Sequence, residues 1–191
     1  MSETINYFET VKCEDYEVFN LAYHNKRIAK TIARNFDLSE YITPLNEKLL
    51  RCKIVYNSDE IIDIKYFEYR KKEIKNFKII KNDKIEYSKK YLNRDSLNKL
   101  FEQKESCDEI MIFKNSLLTD TSIANIAIYY DNSWITPKKP LLNGTTRQRY
   151  INSGFLKEAD ITLKMLKESK KIALLNAMID FDILEDYSLF S

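Results

Sequence analysis

Only two glycines occur in the 191 residues of this chain. A polypeptide so poor in the one residue without a Cβ has few places where backbone can turn sharply or come up against a neighbour, so each such place is informative. Gly144 opens the run Gly144-Thr145-Thr146-Arg147, after a proline-bearing approach from Thr136-Pro137 through Pro140 to Asn143. A helix is predicted from Thr145. Glycine followed by hydroxyl residues at a helix start offers free N–H groups, the positive end of the helix dipole and a threonine hydroxyl to an anion such as a phosphate. Most runs of this kind simply cap a helix. The choice between the two readings rests on what stands upstream.

The length suits one large domain or two small ones. A hydrophobic fraction of 44%, with 13 Tyr and 10 Phe, is enough to build a core. Thirty-one basic residues against 29 acidic ones leave +2, too little to attract nucleic acid or an anionic membrane, and neither is expected as a partner. No apolar run approaches a membrane span, and the opening Met1-Ser2-Glu3-Thr4 lacks a leader pattern. Cys13, Cys52 and Cys107 are odd in number and widely spaced, and His24 is the single histidine. This pattern suits reduced thiols in a cytoplasmic protein, with no metal site.

Alternating apolar residues and turn signals predict strands at Phe8–Cys13 and Glu17–Phe19, then a helix from about Asn20 carrying Leu21, Ile28, Ile32 and Phe36. Arg51 to Tyr87 reads as antiparallel strands. Asp95 is expected to cap a helix through Phe101. Hairpins are expected around Lys114-Asn115 and Asp131-Asn132, followed by a helix from Thr145, a strand near Ile161, a helix from Leu163 and a strand at Ile172–Leu175. Short strands and helices without a regular repeat indicate an α+β chain.

Four segments then fall in a fixed order: Phe8-Glu9-Thr10 with His24-Asn25-Lys26-Arg27; Lys90-Tyr91-Leu92-Asn93-Arg94; Thr119-Asp120 through Asn125; and Gly144-Thr145-Thr146-Arg147. Their order and separation resemble the class IV (fold type IV) pyridoxal-phosphate enzymes, the group that holds D-amino-acid and branched-chain aminotransferases and aminodeoxychorismate lyase. The resemblance runs from Phe8 to about Met178. It implies a two-domain, D-amino-acid-aminotransferase-like α+β fold, with a shortened N-terminal α/β domain over 1–86 and a larger domain binding pyridoxal 5'-phosphate (PLP) over 87–191. It also implies a homodimer.

By this resemblance Lys90 is the lysine that holds the cofactor aldehyde as a Schiff base and serves as acid and base. Asp120 takes the place of the carboxylate facing the ring nitrogen, usually a glutamate in the family. Arg27, in a His-x-x-Arg pattern, matches the arginine that grips the phosphate, with Thr145, Thr146 and the Asn176-Ala177 turn as further phosphate-binding positions. Asn125 matches a residue that organises the loop after Asp120. Arg94 and Arg147 are expected to support the site or to bind a substrate carboxylate. Read without the family, Lys90 and Arg27 are solvated charges and Asp120 a turn residue.

Within the family the Lys90–Arg94 run and the Asn176-Ala177 pair are more similar to aminodeoxychorismate lyase, a folate-biosynthesis enzyme that turns 4-amino-4-deoxychorismate into pyruvate and 4-aminobenzoate. The alternatives are an aminotransferase for D- or branched-chain amino acids, or a relative that has lost catalysis along with the trimmed first domain.

Overall fold

A computed structural model describes residues 4–191; most of the opening stretch on which the leader expectation rests lies outside that range. The chain forms two compact units and does not divide at a single point. The first contains the chain up to Lys71 together with Lys89–Asn93, and the second contains Lys72–Ser88 and Arg94–Ser191.

The first unit is a four-stranded antiparallel sheet in the order β2-β1-β3-β4, made of β1 (Tyr7–Glu14), β2 (Glu17–Val18), β3 (Leu50–Tyr56) and β4 (Ile61–Glu68). Its helix is α1 (Leu21–Ile32). Period-2 alternation puts Tyr7, Glu9, Val11 and Cys13 on one face of β1. Tyr7, Val11 and Cys13 pack there with Ile28 of α1 and with Cys52, Ile54 and Tyr56 of β3. Ala33, in left-handed backbone, ends α1. The expected fourth apolar position, Phe36, therefore lies beyond the helix, although it still joins the same core.

The second unit is built on a larger mixed sheet. Its strands are β5 (Asn76–Lys81), β6 (Glu109–Lys114), β7 (Leu117–Thr121), β8 (Asn125–Tyr130), β9 (Ser133–Pro137), β10 (Lys157–Ala159), β11 (Ile172–Asn176), β12 (Asp180–Leu184) and β13 (Ser188–Phe190). Helices α2 (Asp95–Phe101), α3 (Thr145–Asn152) and α4 (Leu163–Glu168) complete it. β5 corrects the reading of Arg51–Tyr87 as one antiparallel run. It pairs in parallel with β6, Phe77 lying opposite Glu109, because alternation identifies a strand without naming its partner. The strand expected near Ile161 falls at Lys157–Ala159, parallel to β9. Asp95 is the first residue of α2, with Arg94 at the cap. The core of this unit gathers Phe77, Met111, Phe113, Leu118, Ile126, Ile128, Ile172 and Leu174.

Two irregularities in β7 and β8 aim the functional residues. Ile112 lies opposite Asp120, but Phe113 lies opposite Leu118, so Thr119 is an inserted residue. Its hydroxyl donates to the Ile112 carbonyl at 2.8 Å. Strict alternation would have sent Asp120 into the core with Leu118; the bulge turns it to the other face. β8 then pairs with β7 through a single couple, Asp120 opposite Asn125, and continues alongside β11 and β9.

Candidate active-site residues

In the first unit the residues cluster under α1. His24 and Arg27 are three apart on the helix and so share the face that meets β1. Glu9, fully buried, rises from β1 to meet both. Nε of Arg27 donates to Oε1 of Glu9 at 2.8 Å, and Nη2 donates to Oε2. Nδ1 of His24 lies 2.6 Å from Oε2. Burial alone would raise the pKa of Glu9, but the Arg27 charge and the His24 and Arg27 hydrogen bonds bring it down to about 2. Glu9 is therefore ionised and can only accept, which fixes the His24 proton on Nδ1. Burial in turn holds the His24 pKa below its ordinary value despite Glu9, and the Arg27 and Lys90 charges push the same way. His24 is the neutral member of the group, and its Nε2 is buried without a hydrogen-bond partner among the described residues.

Lys90 is half-buried in the same unit. Its carbonyl accepts from the Phe8 N–H at 2.9 Å, and its ammonium stands 4.4 Å from the centre of the Phe8 ring. The adjacent Lys89 goes elsewhere, donating to the Thr31 carbonyl at 2.8 Å near the end of α1. Lys90, Arg27 and His24 thus form one group, and Lys89 is tied to the helix end.

In the second unit Asp120 is buried at the single β7–β8 couple. Its Oδ1 accepts from Nδ2 of Asn125 at 2.6 Å and its Oδ2 from the Leu142 N–H at 2.9 Å. Burial outweighs these bonds and raises its pKa to about 7. Asn125 also donates to the Leu142 carbonyl at 2.7 Å, stitching the strand to the loop before α3. Here the scarce glycine finds its reason. Gly144 has ordinary extended backbone, φ −69°, but a Cβ on it would overlap Oδ1 of Asn125. It is needed for space, not for conformation.

Gly144 caps α3 with no side-chain hydrogen bond to the first turn, where Thr145 and Thr146 are buried. The other expected positions are engaged locally. The Asn176 side chain closes its own turn, accepting from the Met178 N–H at 2.9 Å and the Ile179 N–H at 3.2 Å, so Ala177 sits inside an Asx-type turn. Arg147 is 1% exposed and donates to the Pro137 carbonyl at 2.8 Å and to Glu158 at 2.5 Å. It supports the β9–β10 edge. Arg94 donates to the Ser122 carbonyl at 2.6 Å, bracing the loop after Asp120.

Glu9 is the residue that sequence reasoning passed over. Its one signal was a carboxylate in the middle of an otherwise apolar strand face, and such a charge needs a partner.

Each unit offers its own chemistry. In the first, the Arg27 guanidinium suits a phosphate and the Lys90 amine an aldehyde. In the second, the Asp120 carboxyl, poised near neutrality, ionises readily beside a cationic ring nitrogen, and the start of α3 suits an anion.

Residues 87–181 match the family model for class IV aminotransferases. A Haemophilus influenzae protein of uncharacterised role is 37% identical over 182 residues, covering 90% of this chain and 96% of its own length. A crystal structure from Haemophilus somnus 129Pt, given the provisional name 4-amino-4-deoxychorismate lyase, superposes with a TM-score of 0.85 at 35% identity, over 93% of this chain and 98% of that one. A hypothetical aminotransferase from Mycobacterium tuberculosis, solved in its PLP-bound form, shares the fold at 13% identity and a TM-score of 0.78, covering 97% of this chain and 81% of its own. The chain belongs to the class IV aminotransferase family, the pyridoxal-phosphate-dependent enzymes of fold type IV.

Proposed function

We propose that this enzyme is a PLP-dependent lyase of the 4-amino-4-deoxychorismate type, releasing pyruvate and 4-aminobenzoate. The observation that carries the reading is the likeness to the H. somnus protein of that provisional name, which extends over 98% of its chain at 35% identity. PLP, when bound, supplies an aldehyde that joins amines and a ring that takes up electrons from the carbon next to the nitrogen.

This chain's own residues would then divide the work. Nζ of Lys90 would hold the cofactor's aldehyde group and, once released, would serve as the base that takes the proton from the amine-bearing carbon of the substrate. Asp120 holds the ring nitrogen in its protonated state. Its pKa near 7 suits a proton shared between two partners, and Asn125 with the Leu142 N–H keeps the carboxylate in place. Arg27 binds the phosphate as a charge, while Thr145 and Thr146 bind it through the start of α3. Asn176 and Ala177 contribute backbone, because the Asn176 amide is already engaged in its turn.

The enzyme is proposed to work as a homodimer in the cytoplasm, with a place in folate synthesis. Cys13, Cys52 and Cys107, all buried and free, suit a reducing compartment. No helix among the described residues is long and apolar enough to cross a membrane.

The test is incubation of the PLP-loaded protein with 4-amino-4-deoxychorismate in the absence of any keto acid. Pyruvate and 4-aminobenzoate in equal amounts are expected. Turnover that requires an added keto acid, with D- or branched-chain amino acids as donors, would replace the lyase reading with an aminotransferase one.

A further inference from the structure

We propose that Lys53 is a substrate-binding residue, the cation that takes the carboxylate across the ring from the reacting amine. The inference rests on the lyase reading above and deepens it, naming a group that selects the substrate. A compound released as 4-aminobenzoate carries its amine and a carboxylate para to each other. Arg94 and Arg147 are engaged in holding the fold, the first with the Ser122 carbonyl and the second with the Pro137 carbonyl and Glu158. That leaves the carboxylate to another side chain.

Lys90 indicates where it lies. β1 and β3 turn Tyr7, Val11, Cys52 and Ile54 to the core under α1, so alternation sends Phe8 and Thr10, with Lys53 and Val55, to the opposite face. Phe8 lies opposite Val55 and Thr10 opposite Lys53, which makes Lys53 a diagonal neighbour of Phe8. The Phe8 ring carries both amines: Nζ of Lys90 stands 4.4 Å from its centre and Nζ of Lys53 5.5 Å. The two ammonium groups are therefore no farther apart than those distances combined. An amine and a carboxylate para on a six-membered ring span about 6–7 Å by ordinary bond lengths, and a charge-assisted hydrogen bond adds about 3 Å. A substrate whose amine reaches Lys90 brings its carboxylate within range of Lys53.

The charge of Lys53 is uncommitted. Lysines near it on the sheet are paired, Lys12 with Glu14 and Lys65 with Asp63. Lys53 forms no ion pair among the described residues. It is half-buried, and the aromatic ring beside it steadies the ammonium. A partly desolvated cation without a counter-ion gains more from a carboxylate than one already paired.

The experiment compares PLP-loaded wild type, Lys53→Met and Lys53→Arg. Each is titrated with 4-aminobenzoate and with 4-aminobenzamide, its neutral counterpart, and turnover of 4-amino-4-deoxychorismate is measured on the same samples. Wild type is expected to bind the acid roughly tenfold to a hundredfold more tightly than the amide, the worth of a hydrogen bond between charges. Lys53→Met should lose that preference and raise KM by a similar factor with kcat little changed, whereas Lys53→Arg should keep the preference. A wild type without the preference, a preference that survives in Lys53→Met, or equal losses for acid and amide would overturn the inference; wild-type turnover would leave the lyase reading standing. Wild type that neither turns over the substrate nor prefers the acid would overturn both.

Discussion

Substituting Asp120 with asparagine and following stability against pH isolates the most unusual ionisation in the second unit. An aspartate with an ordinary pKa of 3.8 is raised by burial to about 7 in the folded chain. Between those values the folded protein holds a proton that the unfolded chain has released. Asp120 therefore contributes its full stabilisation below about pH 4 and loses it as pH rises through about 7. About three pH units at ~1.36 kcal/mol each put the loss on the order of 4 kcal/mol. His24 and Glu9, both held below their ordinary pKa, act on stability in the sense opposite to Asp120, but they are present in both proteins and cancel in the difference. Asparagine can also accept from only one of Asn125 and Leu142 without a donor–donor conflict, a cost that does not change with pH. Urea unfolding of the cofactor-free proteins at several pH values from 4 to 7.5 gives the comparison. The stability of wild type minus that of Asp120→Asn is expected to fall by several kcal/mol across the range, and added PLP is expected to flatten the wild-type curve. A difference that is level with pH would mean that Asp120 titrates as an ordinary carboxylate, and the argument from its burial would be refuted.

Gly144→Ala drives a methyl into Asn125, and is expected to cost about 1–3 kcal/mol in thermal unfolding as a local overpacking. Gly154→Ala meets open space but keeps φ at +76°, so its cost should be about 1 kcal/mol of backbone strain; equal effects at the two sites would contradict the account of Gly144. Arg147→Met loses the bonds to the Pro137 carbonyl and Glu158, and should lower stability by about 1–3 kcal/mol while leaving KM for a carboxylate substrate unchanged. A raised KM at unchanged stability would return Arg147 to substrate binding. The Glu9 contribution to stability is complete above about pH 4.5 and lost as pH falls to about 2, on the order of 3 kcal/mol; the acid limb of the stability curve should be shallower in Glu9→Gln.

The sequence exposed some of these features and hid others for identifiable reasons. Glycine scarcity pointed to a close approach at Gly144, but its partner, Asn125, comes from a strand that only the folded loop brings near. The His-x-x-Arg spacing put two side chains on one helix face. The carboxylate that binds them comes from β1, fifteen residues before His24, and no local pattern joins the two. Alternation found β7 and β5 as strands. It could not reveal the extra residue at Thr119 that turns Asp120 out of the core, nor the parallel partner of β5, because an inserted residue and a pairing both depend on the neighbouring strand. Arg147, beside a phosphate-type turn, was open in the sequence to either supporting the site or binding a substrate carboxylate. Its burial against the Pro137 carbonyl follows from the β9–β10 contact, which pairs residues more than twenty apart in sequence.

The central claim is that one particular amine carries the cofactor, and it can be read directly. Borohydride reduction of the PLP-loaded protein, followed by peptide mass mapping, should find the pyridoxyl group on Lys90 and nowhere else. Its appearance on Lys89, whose ammonium is bound to the Thr31 carbonyl, or on no lysine, would contradict the account.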